Sequence, residues 1–313
     1  MTDNKDESLS SQEVKEEFIV QSKSLVQNSC FDASNSVYEE LKKYWDKTFL
    51  GLTVVEDNTK SLCDEWFHRI FHRHNEKQRH YHTPVHLQEI LGYWNIIERS
   101  NHDTKVSSYS TKSLPLPLAQ DEKERRSKAI LWAAFFHDSV YDPKSSQNEK
   151  ESARLFDEFC EQVLGVNLTF SIDDDTTVLP LSSTTTTSKN TAESIARLVI
   201  QLILATEGHQ LVSEESMNST DLETQKLFLD LDMAVLGKER DAYLAYAALI
   251  RREYEFVDRT VYCKKRAEVL TGFLQNKERI FLSDLFYHAM EDRARLNLQY
   301  EIDLLRQNII PGE

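Results

Sequence analysis

Apolar side chains recur every three or four positions along most of the chain. One run is Leu62, Trp66, Phe67, Ile70 and Phe71, and a second is Leu87, Ile90, Leu91, Trp94 and Ile97. This spacing places the apolar side chains on one face of an α-helix. Similar patterns predict helices over 124–138, 148–164, 190–206, 221–236, 240–257, 261–275 and 289–307. Alternation with a period of two, which is typical of strands, is absent over any useful length, so the sequence predicts an all-α protein.

Two stretches interrupt the helical pattern. Residues about 100–120 and 166–189 are rich in Ser, Thr and Pro and poor in apolar side chains. They fit either domain linkers or loop insertions, and we interpret them as insertions because the flanking helices carry complementary chemical groups. The sequence therefore predicts a single domain over about 35–308. Residues 1–34 are acidic and lack the basic start and apolar core of a secretion signal, which predicts a disordered tail.

Composition narrows the expected partners. The chain has 37 basic and 52 acidic side chains and a formal net charge of −15, which argues against nucleic-acid backbones as partners. No apolar run approaches the ~18 residues that a membrane-spanning helix needs. The four scattered cysteines form no CxxC pair, so we expect reduced thiols in a cytoplasmic protein. The oligomeric state stays open.

Histidines are dense in the stretch RHYHTPVH, residues 79–86. His82 and His86 lie four positions apart, with Pro84 between them. A polar surface turn rich in imidazole would give the same local pattern. A binding role requires matching groups elsewhere in the chain.

A second stretch, AILWAAFFHDSVYDP at 129–143, supplies such groups. Its apolar helix ends in His137 and Asp138, and the helical period places His137 on the same face as the apolar side chains. A carboxylate in such surroundings is costly unless it is paired or bound to a metal. Asp142 adds a further acid one turn later.

Two more apolar helices carry polar groups. In LFLDLDMAVLG, residues 227–237, Asp232 falls on the apolar stripe, whereas Asp230 points roughly 160° away from it. The apolar stretch LVIQLILATEGH ends at His209, which is a candidate ligand or substrate contact. A cationic imidazole at a helix C-terminus is also favoured by the helix dipole alone.

These stretches together offer a mixed set of nitrogen and oxygen ligands. The set contains His86, His137, Asp138 and one of Asp230 and Asp232. Such ligands suit Mn²⁺, Fe²⁺, Mg²⁺, Zn²⁺ or Co²⁺ and do not choose between them. The absence of thiolates from the set disfavours a closed structural zinc site. The sequence therefore predicts a divalent metal ion with open coordination positions.

The order H…HD…D resembles that of the HD superfamily of metal-dependent phosphohydrolases. The motifs R-x-YH-x3-H, FHD-x-VYD and FLD-x-D-x-A-x-LG are similar to those of a bacterial and fungal subfamily of predicted HD phosphohydrolases. The resemblance spans roughly residues 35–308. It implies an HD-type helical bundle and hydrolysis of a small phosphate ester, such as a nucleotide or a nucleotide-derived compound. It leaves the substrate, the metal and the number of ions open.

The YH-x3-H spacing is also similar to that of class I cyclic-nucleotide phosphodiesterases. That likeness implies that His82 donates a proton and that His86 binds the metal. Other motifs of that class are absent, so the chain is not expected to be a cyclic-nucleotide phosphodiesterase. As a hypothesis, Asp142 or Glu149 accepts a proton from the attacking water, and Arg79 contacts the phosphate.

Two alternative functions remain open at this point. The first is an HD-fold di-iron oxygenase, but a second iron site usually needs extra histidines, and His209 is the only histidine between Asp138 and Asp230. The second is a non-catalytic scaffold that keeps a metal ion for stability. A complete set of ligands together with His82 favours an enzyme over such a scaffold.

Overall fold

The structure is a computed structural model that describes residues 16–17, 20–21, 33–50, 58–100, 119–168, 187–211, 217–276 and 278–312. Within these residues the regular elements are helices, and strands are absent, which confirms the all-α prediction. We number the helices α1 (Ala33–Thr48), α2 (Asn58–His74), α3 (Pro84–Ser100), α4 (Gln120–Phe136), α5 (Asn148–Phe159), α6 (Thr187–Ala205), α7 (Ser219–Met233), α8 (Arg240–Glu253), α9 (Arg259–Asn276) and α10 (Asp284–Arg306).

Helix positions follow the periodicity of the sequence closely. A π-helical turn, Cys160–Leu164, extends α5, and a 3₁₀ turn, Ala234–Gly237, extends α7. Both predicted insertions lie largely outside the described residues, as does most of the predicted N-terminal tail. Within that tail, Glu17 is helical and accepts hydrogen bonds from Arg99 of α3 at 3.2 and 3.3 Å.

The chain divides into two compact units. The central unit comprises residues 29–87 and 116–229, and the C-terminal unit comprises residues 1–28, 88–115 and 230–313. This division does not decide whether 35–308 folds as one domain, which stays a prediction.

The core of the central unit is aromatic. Trp45 of α1 is fully buried, and its ring centroid lies 5.2 Å from that of Phe135 in α4 and 5.6 Å from that of Phe159 in α5. Phe136 also lies in this cluster, 5.2 Å from Phe159. Burial of such rings dominates core energetics. The last turn of α4 is therefore held firmly, and so is His137, the residue that follows it.

The C-terminal unit fixes the segment that follows α7. A Cβ at Gly237 would lie 2.5 Å from Cβ of Met290, so only glycine fits against α10 there. Asn297 of α10 donates hydrogen bonds to the carbonyl oxygens of Leu236 and Lys238, at 2.9 and 2.8 Å. These contacts anchor the chain a few residues after the end of α7.

Two further predictions concern the cysteines and the membrane. Cys63, Cys160 and Cys263 are buried free thiols, as expected of reduced cysteines, and Cys30 lies outside the described residues. In the described part of the chain, we find no helix with both the length and the apolar composition needed to cross a membrane.

Candidate metal centre

The two histidines of the YH-x3-H stretch flank the start of α3. Pro84 occupies the first position of α3, where its fixed φ and missing N–H suit a helix start. His86, in the first turn, is 2% exposed, and its ring centroid lies 4.7 Å from that of Tyr81. The His82 side chain is 19% exposed, and its ring lies 4.3 Å from that of Tyr141. His86 is thus buried, whereas His82 lies at an accessible edge.

His137 directly follows the last residue of α4 and is 1% exposed. Its Nδ1 donates a hydrogen bond of 2.9 Å to the carbonyl oxygen of Ala134. Because a carbonyl can only accept, Nδ1 carries the hydrogen in this bond, and in the neutral ring Nε2 is then the atom able to bind a metal, as in many metal-binding histidines. The ring also lies edge-on against Phe228 of α7, at 5.8 Å between centroids.

Three imidazoles face a single carboxylate oxygen, Oδ2 of Asp138. Their Nε2 atoms lie at 3.2 Å for His137, 3.9 Å for His82 and 4.0 Å for His86. The two longer distances exceed those of hydrogen bonds. Two ligand atoms that each lie about 2.1 Å from one cation are at most about 4.2 Å apart. The distances from Asp138 to His86 and His137 are therefore compatible with a shared metal ion.

His86, His137 and Asp232 form a group whose ligand atoms all lie within 4.8 Å of one another, and this group could hold a metal ion. Asp232 lies one helical turn beyond Phe228, the residue of α7 that contacts His137. Of the predicted metal site, the structure thus supports a group of two histidines and one carboxylate that could hold an ion. The wider ligand set, which includes Asp138, stays a prediction.

Asp230 lies in different surroundings from those of Asp232. It is 1% exposed, and its two carboxylate oxygens accept hydrogen bonds of 2.7 Å from the backbone N–H groups of Leu282 and Ser283. Burial raises the pKa of Asp230 to about 7, although these hydrogen bonds lower it. The carboxylate therefore anchors the turn before α10. The sequence left open whether Asp230 or Asp232 binds the metal, and the group that could hold a metal contains Asp232.

Arg79 joins the two loops that carry His82 and Asp138. Its side chain is 0% exposed. The guanidinium donates hydrogen bonds to the carbonyl oxygens of His82 (3.2 Å), Asp138 (2.6 Å) and Ser139 (3.3 Å). The predicted contact of Arg79 with a phosphate stays untested, but this geometry favours a positioning role instead.

The predicted proton acceptors differ in environment. Asp142 is exposed, and its carboxylate accepts a hydrogen bond of 2.9 Å from the backbone N–H of Lys144, so it braces the turn before α5. Glu149, in the first turn of α5, is partly buried. Burial raises the pKa of Glu149, and the charges of Asp138 and Glu207 raise it further. Glu149 therefore suits proton transfer better than Asp142 does.

His209 lies on the 3₁₀ turn Glu207–His209 after α6, as the sequence predicted for a helix end. Its backbone has φ 51°, directly after Gly208 with φ 70°, and such left-handed backbone is uncommon for residues other than glycine. Among the effects on the pKa of Glu149, that of His209 acts to lower it. A ligand or substrate role for His209 stays a prediction.

Two supporting residues were not singled out from the sequence. His74 is fully buried, and its Nε2 donates a hydrogen bond of 3.1 Å to the carbonyl oxygen of Phe135. Burial lowers the pKa of His74 well below its usual value, so it is neutral. Tyr141 lies within the FHD-x-VYD motif, which was the available signal, and its ring contacts His82. By contrast, His68 and His72 are exposed on α2.

Comparisons of the chain with models of protein families, with curated proteins and with solved structures found no match. The chemical interpretation of the centre therefore depends on its geometry. Its ligand types, burial and fixed imidazole orientation are the features from which a function can be argued.

Proposed function

We propose that this chain is a metal-dependent phosphohydrolase of the HD type, which hydrolyses a small phosphate ester such as a nucleotide or a nucleotide-derived compound. The observation that carries the proposal is the approach of His82, His86 and His137 to one oxygen of Asp138, at 3.2 to 4.0 Å. The distances of 3.9 and 4.0 Å, to His82 and His86, are too long for hydrogen bonds, and the buried imidazoles of His86 and His137 are suitable ligands for a cation.

The residues that would hold the ion are His86, His137, Asp138 and Asp232. The bond from Nδ1 of His137 to Ala134 presents Nε2 as a ligand and hinders rotation of the ring. Mixed imidazole and carboxylate ligands suit a site with open positions, which a hydrolytic centre needs for water and substrate. When bound, a divalent ion acidifies water and neutralises charge on phosphoryl oxygens.

His82 is the proposed proton donor. Its side chain is 19% exposed, so it can approach an ester oxygen while the buried His86 serves as a ligand. In the reaction, the oxygen of water forms a bond to phosphorus and the bond from phosphorus to the ester oxygen breaks. His82 then gives its proton to the departing ester oxygen, and such general acid catalysis contributes about 10²–10⁴ in rate.

Glu149 is the proposed acceptor of the proton that the attacking water loses. A carboxylate whose pKa is raised, as burial raises that of Glu149, is a stronger base near neutral pH. Asp142 is the alternative acceptor, but its carboxylate already accepts from the backbone of Lys144.

The experiment that tests the proposal is a screen for phosphate release. The full-length protein is loaded separately with Mn²⁺, Fe²⁺, Mg²⁺, Zn²⁺ or Co²⁺ and incubated with a panel of phosphate mono- and diesters. We expect release from at least one ester, abolished in Asp138→Ala and retained in His68→Ala, whose imidazole is exposed on α2.

Three outcomes would contradict the proposal. Oxygen consumption by iron-loaded protein without phosphate release would favour the di-iron oxygenase. Tight metal binding with neither activity would favour the metal-binding scaffold. Release that Asp138→Ala does not reduce would indicate a contaminating phosphatase.

A further inference from the structure

The imidazole of His82 lies against the rings of two tyrosines. The ring centroid of Tyr141 lies 4.3 Å from that of His82, and the two planes are inclined by 32°. The ring of Tyr81 meets the imidazole edge-on, at 5.0 Å between centroids and 78° between planes. Aromatic rings attract one another in both arrangements. All three residues belong to the central unit, and the two contacts limit rotation of the imidazole.

Arg79 contacts the stacked pair from its buried side. Tyr141 is 9% exposed, and the guanidinium carbon of Arg79 lies 5.3 Å from the centroid of its ring. This distance is within the range of a cation–π interaction. The same guanidinium donates a hydrogen bond of 3.2 Å to the backbone carbonyl oxygen of His82. One buried arginine therefore contacts both the ring of Tyr141 and the backbone of His82.

Helix α5 fixes both chain neighbours of Tyr141. The backbone N–H of Val140 donates a hydrogen bond of 3.1 Å to Oγ of Ser152. The backbone N–H of Asp142 donates to Oδ1 of Asn148 at 3.0 Å, and the amide of Asn148 donates back to the carbonyl oxygen of Asp142 at 2.9 Å. Because both neighbours are tied to α5, the backbone of Tyr141 is fixed, and its ring is a firm support for His82.

A firmly held proton donor is useful for only some leaving groups. Nε2 of His82 lies 3.9 Å from Oδ2 of Asp138, and the His82 side chain is 19% exposed. A proton given at this position benefits the departing oxygen in proportion to its basicity. The benefit is large for an alkoxide, which is a strong base. It is small for a nitrophenolate or for the phosphate that leaves from an anhydride, because these are weak bases.

We propose that the candidate centre acts on phosphate esters of aliphatic alcohols, and that Tyr141 is the positioning residue that directs His82 to their departing oxygen. This inference rests on the proposed phosphohydrolase function. In the step, the oxygen of water bonds to phosphorus as the bond to the ester oxygen breaks. The electron pair of the broken bond stays on the ester oxygen, which takes the proton of His82.

The test compares two esters with full-length, Mn²⁺-loaded protein. A nucleoside monophosphate releases an alkoxide, whereas para-nitrophenyl phosphate releases a weakly basic phenolate. We expect Tyr141→Leu to lower kcat for the nucleotide by about 10²-fold, as for a misplaced catalytic group, with little change in KM. We expect a much smaller loss of kcat for the nitrophenyl ester. Tyr141→Phe keeps the ring and should retain most of the rate with the nucleotide.

Tyr38→Leu is the matched control. Tyr38 of α1 also stacks on a histidine, at 5.7 Å between centroids and 29° between planes, but its partner is His68 on α2. We expect unchanged kcat for both esters in this variant. The stack itself is measured by nuclear magnetic resonance. The ring-proton signals of His82, assigned with His82→Gln, should move downfield in Tyr141→Leu, which loses the shielding by the tyrosine ring, and should not move in Tyr38→Leu.

Ser152→Ala guards against misfolding of Tyr141→Leu. It removes the bond to Val140 and leaves every ring in place, so we expect a smaller loss of kcat that is again confined to the nucleotide. Equal relative losses with the two esters, or an unchanged nucleotide rate in both Tyr141→Leu and Ser152→Ala, would overturn the inference and leave the hydrolytic function standing. No release from any ester by the wild type would refute the proposed function instead, whatever the His82 signals show.

Discussion

Arg79→Lys tests whether a buried guanidinium fixes the loop of His82 relative to the loop of Asp138. The variant keeps the positive charge and removes the forked geometry that reaches His82, Asp138 and Ser139 at once. An ammonium can approach one of these carbonyls and leaves the others without the donor they have now. We expect both loops to loosen.

The magnitude follows from the three bonds. Their lengths are 3.2, 2.6 and 3.3 Å, so one is short and two are long. Hydrogen bonds to charged groups contribute about 1.5–3 kcal/mol each, with long bonds at the lower end. If lysine replaces one of the three, the free energy of unfolding should fall by about 2–4 kcal/mol. A displacement of His82 or Asp138 by about 1 Å should lower kcat by about 10²-fold.

The assay is urea denaturation followed by circular dichroism, with the slope m compared between variants. Arg69→Lys is the matched control, because Arg69 pairs with Glu158 through two bonds of 2.9 and 3.0 Å at the surface. An exposed pair of this kind contributes about 0–1 kcal/mol. If Arg79→Lys lowers the free energy of unfolding by no more than Arg69→Lys does, the positioning role that we assign to Arg79 would be refuted.

Three further predictions concern stability and reactivity. Glu89→Gln removes the carboxylate that pairs with the fully buried Lys238 and should cost about 3–5 kcal/mol in urea denaturation. Much of this loss should be recovered when Lys238→Met is added. Phe159→Ala leaves a cavity in the aromatic cluster and should cost about 3–5 kcal/mol in the same assay, and a loss below 1 kcal/mol would contradict the packing described. Cys63 and Cys160 should resist alkylation at pH 8 until urea unfolds the protein, because burial raises the pKa of both thiols, that of Cys63 to about 11. Labelling is measured by peptide mass spectrometry, and rapid labelling of the native protein would contradict this prediction.

The helices could be predicted because helical periodicity is a local property of the sequence. The pattern over 148–164 gave both α5 and the π-helical turn that extends it, although it could not distinguish the two kinds of helix. The burial of His137 was predictable for the same reason, since it shares a face with the apolar side chains that precede it. The apolar stripe of α7 likewise favoured Asp232 over Asp230, and the group that could hold a metal contains Asp232.

Residues whose partners are distant in sequence could not be assigned in this way. The carboxylate of Asp230 accepts hydrogen bonds from the backbone N–H groups of Leu282 and Ser283, more than fifty positions away. For Arg79 the sequence predicts a phosphate contact, which stays untested, and it gave no sign that the donors of Arg79 meet carbonyls of the loop after α4. Backbone acceptors leave no signature in residue type, so only the fold reveals such contacts.

The most direct test of the central claim is a Mn²⁺ titration of the metal-free full-length protein, with stoichiometry and affinity measured by calorimetry. The account predicts one tight ion per chain in the wild type. It predicts affinity at least about 100-fold weaker in His137→Asn and in Asp232→Asn, and unchanged affinity in His68→Asn. Equal affinity in all four proteins would show that these side chains do not share an ion, and the proposed enzymatic function would then lose its basis.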